Sequence, residues 1–512
     1  MQTSPESRRP VRTRYAPSPT GFPHIGNYRT ALFAWLMARH GEGQFVLRIE
    51  DTDRKRLVPG AIENIMEGLR WLNLDWDEGP EVGGPFGPYF QSERLDIYRE
   101  HADMLIANGH AYRCYCTEHE LEQMRAEQRA RKEPEHYDRR CRFLTDDQRA
   151  EREAAGRSSV VRFAAPLDGV TTYHDALRGD LTFDNTTIDD MVLLKSDGYP
   201  TYNFANIVDD HLMDITHVIR GEEYISSAPR YAQVYRAFGW EEPETIHVGL
   251  VLAPDRSKLS KRHGALPLLE YRTLGYLPEA IVNFLVLLGW SLDDKTELFS
   301  LEDLVRVFDY KRIGTSPSVF DATRLEWFNG VYIRKKSPEE LLELAWPLLL
   351  ARLPEGTPEP DRQYVLRVIA LDQERFKTLQ DVPRLTSFFF TDTLEYDARL
   401  LVTKGLDDAR AIALVEQLAS MFETQREWTH EHLLAALDRF VIDHGLIRKK
   451  ADGSEVPDRG PVFMLVRVAV SGRKETPGLP EMLEVLGKER TIARLALARR
   501  KLEALAGETH EG

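Results

Sequence analysis

A short stretch near the start of the chain, 14–27, combines groups that suit the binding of an anion. Val11–Ala16 predicts a strand, and the prolines and glycine that follow it require a turn. From Gly26 onward apolar residues recur at helical spacing on one face, so a helix is predicted to begin beside His24. Helix N-termini favour negative charge, His24 adds a donor, and Gly26 lets a phosphate or a flat ring approach. The pattern indicates an anion-binding site; the alternative is an ordinary strand-to-helix turn that contains one histidine.

A second stretch, Asp255–Gly264, carries three cations within five residues: Lys258, Lys261 and Arg262. It follows an apolar run, Thr245–Leu252, that predicts one buried strand. Cations this close repel one another unless they are solvated or face a polyanion. The segment is therefore predicted to meet phosphates, and the alternative is a basic surface loop.

Further polar residues follow predicted strands. Glu50 closes the strand predicted over Gln44–Glu50, and Arg220 and Glu223 follow one predicted over Ile215–Ile219. The stretch Asp197–Asn206, which lies between these two strands in the sequence and contains Tyr202 and Asn206, is rich in tyrosine and asparagine. Because ligands bind at the carboxyl ends of strands in α/β sheets, these residues indicate a small-molecule pocket. Capping and packing are the alternative roles, and for Asp51 and Asp53 an acidic turn capping the next helix is equally consistent.

The composition is that of a globular enzyme with several domains. The chain has 512 residues, 42% of them hydrophobic and 29% charged. Its net charge of −15 excludes little, since a nucleic-acid binder needs only a local basic face. No apolar run reaches membrane-spanning length, and the polar start, Met1–Pro10, lacks the core of a signal peptide. Without a spanning run, no membrane association is expected. With three cysteines no disulfide framework is possible, so a cytoplasmic location is expected.

The three cysteines are spaced like ligands of a metal. Cys114 and Cys116 flank Tyr115, and a highly charged segment of 24 residues separates Cys116 from Cys141. Zn²⁺ prefers four nitrogen or sulfur ligands, so this spacing suggests a zinc knuckle without a clear fourth ligand. His119, His136 or a carboxylate are the candidates for the fourth place.

Together the motifs resemble the paired signatures of class I aminoacyl-tRNA synthetases, His-Ile-Gly-His and Lys-Met-Ser-Lys-Ser. They stand here as His24-Ile-Gly-Asn27 and Lys258-Leu-Ser-Lys-Arg262. Nearly the whole chain is similar to bacterial glutamyl-tRNA synthetases. The stretches that carry this likeness are Arg14–Asn27, Val46–Asp53, Leu194–Tyr202, Asn206–His211 and Lys258–Arg262.

The resemblance implies a multidomain α/β fold built on a Rossmann-like nucleotide-binding domain, with an α+β acceptor-binding insertion, a stem-contact domain and an all-α C-terminal anticodon-binding region. The boundaries it implies are 1–100 and 203–255 for the catalytic domain, 101–202 for the insertion, 256–335 for the stem-contact domain and 336–512 for the anticodon-binding domain. The apolar run Leu277–Leu288 is predicted as a core helix, and Ser337–Glu340 predicts a capping box that opens a helical region. The short segments Val160–Phe163, Leu181–Phe183 and Met191–Leu194 are predicted to form a small sheet within the insertion.

The activity implied is the attachment of L-glutamate to tRNA(Glu) through a glutamyl-adenylate, with ATP and Mg²⁺. The catalytic residues implied are His24, Gly26, Lys258 and Lys261. ATP is expected at Thr20, His24, Gly26, Asn27 and Lys261. Glutamate is expected at Arg14, Ala16, Ser18, Glu50, Tyr202, Asn206, Arg220 and Glu223. Arg14 is assigned to the side-chain carboxylate of the substrate, Arg220 to a second carboxylate and Glu50 to the ammonium group.

The resemblance also bears on metal and partners. Some relatives carry a fourth zinc ligand two residues after the third cysteine, where this chain has Phe143. A degraded site without zinc is therefore favoured, and bound zinc is the alternative. In relatives that reject tRNA(Gln), an arginine contacts the third anticodon base. The corresponding position in this chain is placed at Gln373; a shifted alignment would instead place Arg375 there. Because glutamine can both donate and accept, discrimination between the two tRNAs is expected to weaken, and charging of tRNA(Gln) is a hypothesis. The protein is expected to be a monomer. A glutaminyl-tRNA synthetase and a non-catalytic tRNA-binding paralogue are the rival interpretations.

Overall fold

The predicted motifs follow the strands of two parallel strand pairs. In the computed structural model β1 (Arg12–Tyr15) pairs with β2 (Gln44–Leu47), and β8 (His217–Gly221) pairs with β9 (Glu244–Val248). The Thr216 N–H donates to the Arg12 carbonyl at 3.0 Å, which joins β1 to the start of β8. The result is a mostly parallel sheet of the kind predicted.

The structure describes residues 9–257, 259, 266–403, 405–449 and 455–510, which divide into two compact units. The first unit comprises 1–273 with 278–325, and the second 274–277 with 326–512. Besides the four strands above, the elements up to residue 335 are α1 (Ile25–His40), α2 (Ala61–Trp71), α3 (Leu95–Ala107), β3 (Ala111–Cys114), α4 (Glu118–Ala130), α5 (Asp146–Ala154), β4 (Val160–Phe163), β5 (Val170–Asp175), β6 (Gly179–Asp184), β7 (Val192–Leu194), α6 (Tyr202–Leu212), α7 (Ala228–Phe238), β10 (Val251–Leu252), α8 (Leu268–Thr273), α9 (Pro278–Val286), α10 (Leu301–Val307), β11 (Ser318–Val319) and α11 (Ala322–Lys335).

The predicted small sheet exists with a different membership. β3, β4 and β7 form a three-stranded antiparallel sheet, whereas β5 and β6 join the main sheet in the order β6-β5-β9-β8. The prediction that Leu181–Phe183 belongs to the small sheet is therefore wrong. Its alternation of side chains is equally suited to the edge of the larger sheet, and sequence alone does not choose the partner.

Helix α1 is buried more completely than its pattern predicts. All residues from Ala31 to Ala38 are buried, together with Tyr28 and Arg29. The Phe33 ring stacks on Phe308 at 6.0 Å, so the face turned away from the sheet is also covered. The predicted helix and its apolar face are confirmed, and the opposite face is buried as well because later segments of the chain cover it.

Two predicted strands end differently from the expectation. β2 stops at Leu47, so Glu50 lies beyond it, although the Glu50 N–H still donates to the Pro17 carbonyl at 3.0 Å. The run Thr245–Leu252 is broken at Gly249 into β9 and β10, and β10 pairs with β11. A side chain at Gly249 would overlap the backbone of Ser316, and this close approach explains why glycine occupies the break.

The second unit is helical, as predicted. Its elements are α12 (Pro338–Leu350), α13 (Arg362–Asp372), α14 (Asp381–Thr386), α15 (Asp408–Thr424), α16 (His430–Asp443), β12 (Ile447–Lys449), β13 (Glu455–Pro457), α17 (Gly460–Ser471), α18 (Leu479–Leu486) and α19 (Lys488–His510). The capping box at α12 is confirmed: Ser337 Oγ accepts from the Glu340 N–H at 3.2 Å, and Glu340 accepts from the Ser337 N–H at 2.8 Å. The pair β12–β13 is a short antiparallel addition that was not predicted. Throughout the described ranges, no helix is both long and apolar enough to span a membrane.

Candidate active site

His24 caps the helix that it precedes. Its Nδ1 accepts from the Gly26 N–H at 3.1 Å, and Asn27 Oδ1 accepts from the His24 N–H at 3.1 Å. His24 and Asn27 are exposed, and a side chain on Gly26 would press on the imidazole. Of the helix N–H groups expected to face an anion, that of Gly26 is thus already bonded to His24. Of the other residues expected here, Ser18 is exposed, whereas Ala16 and Thr20 are half-buried.

Described residues on both sides of the cationic segment make contacts at or near this cap. Lys258 and Lys261 lie outside the described residues, but the chain after them returns to the motif, because Pro267 forms a bridge with His24. The Leu268 N–H donates to the Pro23 carbonyl at 3.2 Å. On the approach to the segment, Arg29 Nη2 donates to the Gly249 carbonyl at 2.6 Å. Both flanks of the predicted phosphate-binding segment are therefore attached at or near α1.

A buried ionic cluster lies at the carboxyl ends of β1 and β2. Arg14 donates through Nε and Nη2 to the two oxygens of Asp210 at 3.1 and 3.2 Å. Arg48 donates to Asp210 Oδ1 at 2.8 Å and to Glu50 Oε1 at 3.1 Å. All four side chains are at least 95% buried. Arg14, predicted to bind the substrate directly, already has a carboxylate partner in the protein.

The cluster extends toward β8 through an amide. Asn206 Nδ2 donates to Glu50 Oε1 at 3.0 Å, while Asn206 Oδ1 accepts from Arg220 Nη2 at 2.9 Å. Within the described part of the chain, Glu50 Oε2 is buried and has no hydrogen-bond partner. The structure thus brings the predicted residues Arg14, Glu50, Asn206 and Arg220 together, and it leaves one carboxylate oxygen able to accept a hydrogen bond.

Tyrosine rings surround Arg220. The guanidinium lies over the ring of Tyr224 at 5.1 Å and over that of Tyr231 at 5.0 Å. Tyr202, another predicted residue, lies 5.9 Å from Tyr224 between ring centroids. The carboxylate of Glu223 folds back over Gly221, the residue next to Arg220. These contacts place Tyr202 and Glu223 near Arg220, in accord with a common pocket.

Burial and charge act differently on the carboxylates of the cluster. Burial raises the pKa of Glu50, against the opposing effect of Arg48 and Arg14. Burial also disfavours ionisation of Asp210, but Arg14 and Arg48 outweigh it and lower the Asp210 pKa. Burial beside Glu50 raises the pKa of Tyr202 well above its ordinary value, so this hydroxyl remains a donor.

Asp209, next to Asp210 in the chain, holds other residues around the cluster in place. Asp209 accepts from Arg94 Nε at 2.7 Å, from Tyr98 OH at 2.7 Å and from Gln91 Nε2 at 2.9 Å. Arg48 Nε approaches Asp209 at 3.6 Å. Asp209, with the paired cation Arg94, fixes Arg48 without adding net charge to the pocket.

The three thiols meet, and a tyrosine joins them. The Sγ atoms of Cys114, Cys116 and Cys141 lie within 4.8 Å of one another, and two of them are 3.5 Å apart. Tyr137 OH lies 3.2 Å from Cys114 Sγ and 3.7 Å from Cys116 Sγ. Tetrahedral Zn–S bonds of 2.3 Å would place sulfurs about 3.8 Å apart, so the spacing fits zinc.

The expected sources of a fourth zinc ligand do not join the thiols. Phe143 is 70% exposed, with Arg142 over its ring. No histidine or carboxylate belongs to the thiol group among the residues that the structure describes, so His119 and His136 are not ligands there. The candidate that sequence reasoning missed is Tyr137, four residues before Cys141.

Gln373 occupies a capping position in the second unit. Its Nε2 donates to the carbonyls of Ile333 at 3.1 Å, Arg334 at 3.4 Å and Lys336 at 2.8 Å, at the end of α11. Arg375 donates to Asp372 at 2.9 Å. Both side chains therefore have partners within the protein, and the prediction that either reads an anticodon base stays a prediction.

Comparison with known proteins agrees with these features. The family described as "tRNA synthetases class I (E and Q), catalytic domain" matches residues 10–327, and "Anticodon binding domain" matches residues 340–499. The chain therefore belongs to the class I tRNA synthetases of the E and Q group, and within it to the glutamate–tRNA ligases, as the following relatives indicate.

The relatives are similar over nearly their full length. A glutamate–tRNA ligase of Dehalococcoides mccartyi is 45% identical over 498 residues, which are 97% of this chain and 99% of the relative. Those of Moorella thermoacetica and Herpetosiphon aurantiacus are 46% and 48% identical, each over 96% of this chain and 98% and 97% of their own. The crystal structure of a glutamate tRNA ligase from Elizabethkingia meningosepticum in complex with its amino acid has a TM-score of 0.87 at 35% identity, covering 96% of this chain and all of the relative. The family resemblance and the fold class inferred from the sequence are confirmed.

Proposed function

We propose that the protein attaches L-glutamate to tRNA(Glu) in two steps, through a glutamyl-adenylate made from ATP. The observation that carries the proposal is the buried cluster around Glu50. Three guanidinium groups, of Arg14, Arg48 and Arg220, face the carboxyl groups of Glu50 and Asp210 there. With both carboxyl groups ionised, one positive charge remains, which complements the single negative charge of glutamate. Glutamine is neutral overall and would leave that charge uncompensated, which is costly in a buried site.

The substrate groups have matching partners. The ammonium group of glutamate can donate to Glu50 Oε2, which has no partner among the described residues. Arg220 lies at a strand end and offers its remaining N–H groups to a carboxylate. Arg14, held by Asp210 through Nε and Nη2, presents Nη1 to the other carboxylate. Tyr202, Glu223, Ser18 and Ala16 complete the pocket in this proposal.

ATP is proposed to bind beside the helix cap. His24, Gly26, Asn27 and Thr20 line the side formed by the turn, and the segment with Lys258 and Lys261 supplies the other side. The bridge between His24 and Pro267 supports this arrangement, because Pro267 follows that segment closely in the chain. Negative charge grows on the phosphate oxygens when the glutamate carboxylate attacks the α-phosphorus, so positioned cations lower the barrier.

Mg²⁺ accompanies ATP in this class of enzyme, and its chemistry is to neutralise the phosphates. Among the described carboxylates of the signature Glu50–Asp53, Asp51 accepts from the Ser92 N–H and hydroxyl at 2.8 and 2.6 Å. Since Asp51 is engaged and Glu50 faces the arginines, neither is assigned to the metal. The ion is proposed to be held by the phosphates of the nucleotide.

The remaining parts are proposed to bind tRNA. Segments 101–202 and 256–335 would hold the acceptor end and the stem, and 336–512 the anticodon. The match of residues 340–499 to an anticodon-binding family supports the last assignment. A cytoplasmic location accords with three unpaired thiols.

The test is exchange between ATP and pyrophosphate, measured with glutamate, tRNA(Glu) and both together. Exchange and charging with glutamate support the proposal, and glutamine in its place is expected to give neither. Charging with glutamine would identify the rival synthetase. Tight binding of tRNA without exchange would identify a non-catalytic paralogue.

We further propose a structural zinc ion held by Cys114, Cys116, Cys141 and the Tyr137 hydroxyl. The position of the hydroxyl against two of the thiols supports this ligand set. Metal analysis of the purified protein is expected to find about one zinc ion per chain. Tyr137→Phe is expected to lower the zinc content and Phe143→Ala to leave it unchanged; the reverse order would rule out the tyrosine.

A further inference from the structure

His247 is the neighbour of Arg220 in the sheet, and the proposed function gives it no role. Residues Arg220 on β8 and His247 on β9 are register partners in the parallel pair. Directly paired residues of adjacent strands extend to the same face of a sheet. His247 is 1% exposed, and the charge of Arg220 acts on its imidazole.

His247 is held in one protonation form by Asp175. Its Nδ1 lies 2.7 Å from Asp175 Oδ2, and the same oxygen accepts from the His247 N–H at 3.1 Å. Burial opposes ionisation of Asp175, but its hydrogen bonds with His247 and with backbone N–H groups lower its pKa, so it is an acceptor. Burial lowers the pKa of His247, with Arg220 and Arg178 acting in the same direction. The ring is therefore neutral, with the proton on Nδ1 and a lone pair on Nε2.

The two neighbours have complementary atoms without partners. His247 Nε2 and Arg220 Nε are both buried, and neither has a hydrogen-bond partner within the part of the chain described. One is an acceptor and the other a donor. A cavity of about 20 Å³, enough for about one water molecule, borders Arg220, Tyr173 and Thr245.

We propose that the Asp175–His247 pair is a positioning device for Arg220, in which His247 Nε2 accepts a hydrogen bond from Arg220 Nε–H when a substrate carboxylate binds. This inference rests on the proposed role of Arg220 in binding glutamate. A neutral acceptor orients the guanidinium without cancelling its charge, whereas a carboxylate in the same place would compete with the substrate. The remaining N–H groups of Arg220 then face Asn206 and the substrate.

Two substitutions separate the two ends of the imidazole. His247→Asn keeps a donor near the Nδ1 position for Asp175 but has no acceptor that reaches Arg220. His247→Gln places an amide oxygen near the Nε2 position. In tRNA charging at saturating tRNA, His247→Asn is expected to raise the KM for glutamate about tenfold, the usual effect of one hydrogen bond to a charged group, with the KM for ATP and kcat within about twofold. His247→Gln is expected to restore the KM for glutamate to within about twofold of the parent.

Other outcomes overturn the proposal. Equal effects of both variants, equal effects on ATP and glutamate, or no effect would make His247 a packing residue. If His247→Asn does not fold, Asp175→Asn takes its place. Without the carboxylate, the ring proton is no longer fixed on Nδ1 and can move to Nε2, where it would face the Arg220 donor. An unchanged KM for glutamate in that variant would then refute the proposal.

Arg220→Lys, measured beside them, separates this inference from the proposed function. A large rise in the KM for glutamate supports the role of Arg220 whatever the His247 variants show. No rise in the KM for glutamate removes Arg220 from the substrate site, and the positioning device with it.

Discussion

Arg14 and Asp210 form a two-point ion pair in the interior, with Arg14 Nε and Nη2 at 3.1 and 3.2 Å from the two carboxylate oxygens. Arg48 shares Asp210 and also bonds Glu50, so the pair belongs to a network rather than standing alone. Removing one member of a buried pair leaves a charge without compensation. If Arg14 binds the substrate as proposed, substrate binding and stability are linked at this residue.

Arg14→Gln is expected to lower the free energy of unfolding by about 3–5 kcal/mol and to raise the KM for glutamate far more than that for ATP. The double variant Arg14→Gln with Asp210→Asn removes both charges and is expected to recover much of the stability but not glutamate binding. Urea denaturation and steady-state charging measure the two effects. Recovery of both in the double variant would show that Arg14 only supports the fold.

Lys261→Ala is expected to slow glutamylation about 100- to 1,000-fold, or about 2.7–4 kcal/mol, with little change in tRNA affinity. The reason is that a cation beside the phosphates matters most when charge develops there. Single-turnover charging and tRNA binding are measured separately, with Lys55→Ala as a control that removes the same charge at an exposed site outside the segments proposed to hold tRNA. Loss of tRNA binding with intact chemistry would make Lys261 an anchor for tRNA phosphates instead.

Glu244 is expected to make stability depend on pH in the acid range. Its hydrogen bond with His217, together with that from Tyr310 OH at 2.6 Å, lowers the Glu244 pKa to about 2. A lowered pKa in the folded state stabilises the fold above the ordinary pKa of 4.5, and this contribution is lost as the pH falls from about 4.5 to about 2. Since the side chain is 39% exposed, solvent limits the effect to about 1 kcal/mol.

The measurement compares Glu244→Gln with the parent by urea denaturation. The parent is expected to be more stable at pH 7, and the difference is expected to shrink between pH 4.5 and pH 3. A difference that stays constant over that interval would show that the contribution is packing and not charge.

Gln373→Ala is expected to lower the free energy of unfolding by about 1 kcal/mol, because Nε2 serves the last carbonyls of α11. Charging of purified tRNA(Glu) and tRNA(Gln) with glutamate tests the separate hypothesis of relaxed specificity. That hypothesis fails if tRNA(Gln) is charged more than about a thousandfold less efficiently, a gap of about 4 kcal/mol. An unchanged ratio of the two tRNAs in Gln373→Ala would confine Gln373 to its capping role.

Local signals in the sequence were sufficient for much of the fold. The strand, turn and helix around His24 and the capping box at Ser337 depend on neighbours within a few residues, and the structure has them where predicted. The partner of Leu181–Phe183 and the cover over α1 depend on distant segments, which periodicity does not identify. Boundaries such as the break at Gly249 depend on close approach of another backbone.

The sequence indicated which residues belong to the candidate site better than it indicated which of them contact one another. Arg48 stands out as a cation inside the apolar run Val46–Ile49, and Asp210 as a carboxylate in the helix that carries Asn206. Both signals were in the chain, yet their mutual contact links residues 162 positions apart. Tyr137 was missed because its role depends on a hydroxyl reaching thiols that are distant in sequence.

The span of these contacts also bears on how the enzyme matures. Glu50 meets Asn206 across 156 positions and Arg14 meets Asp210 across 196, so the pocket cannot assemble until the long intervening segment has closed. Closing such loops is slow compared with forming helices, and contacts of high sequence separation generally form late. During refolding, helical signal is therefore expected to return before glutamate binding, and a nascent chain released before Asp210 would lack a competent pocket.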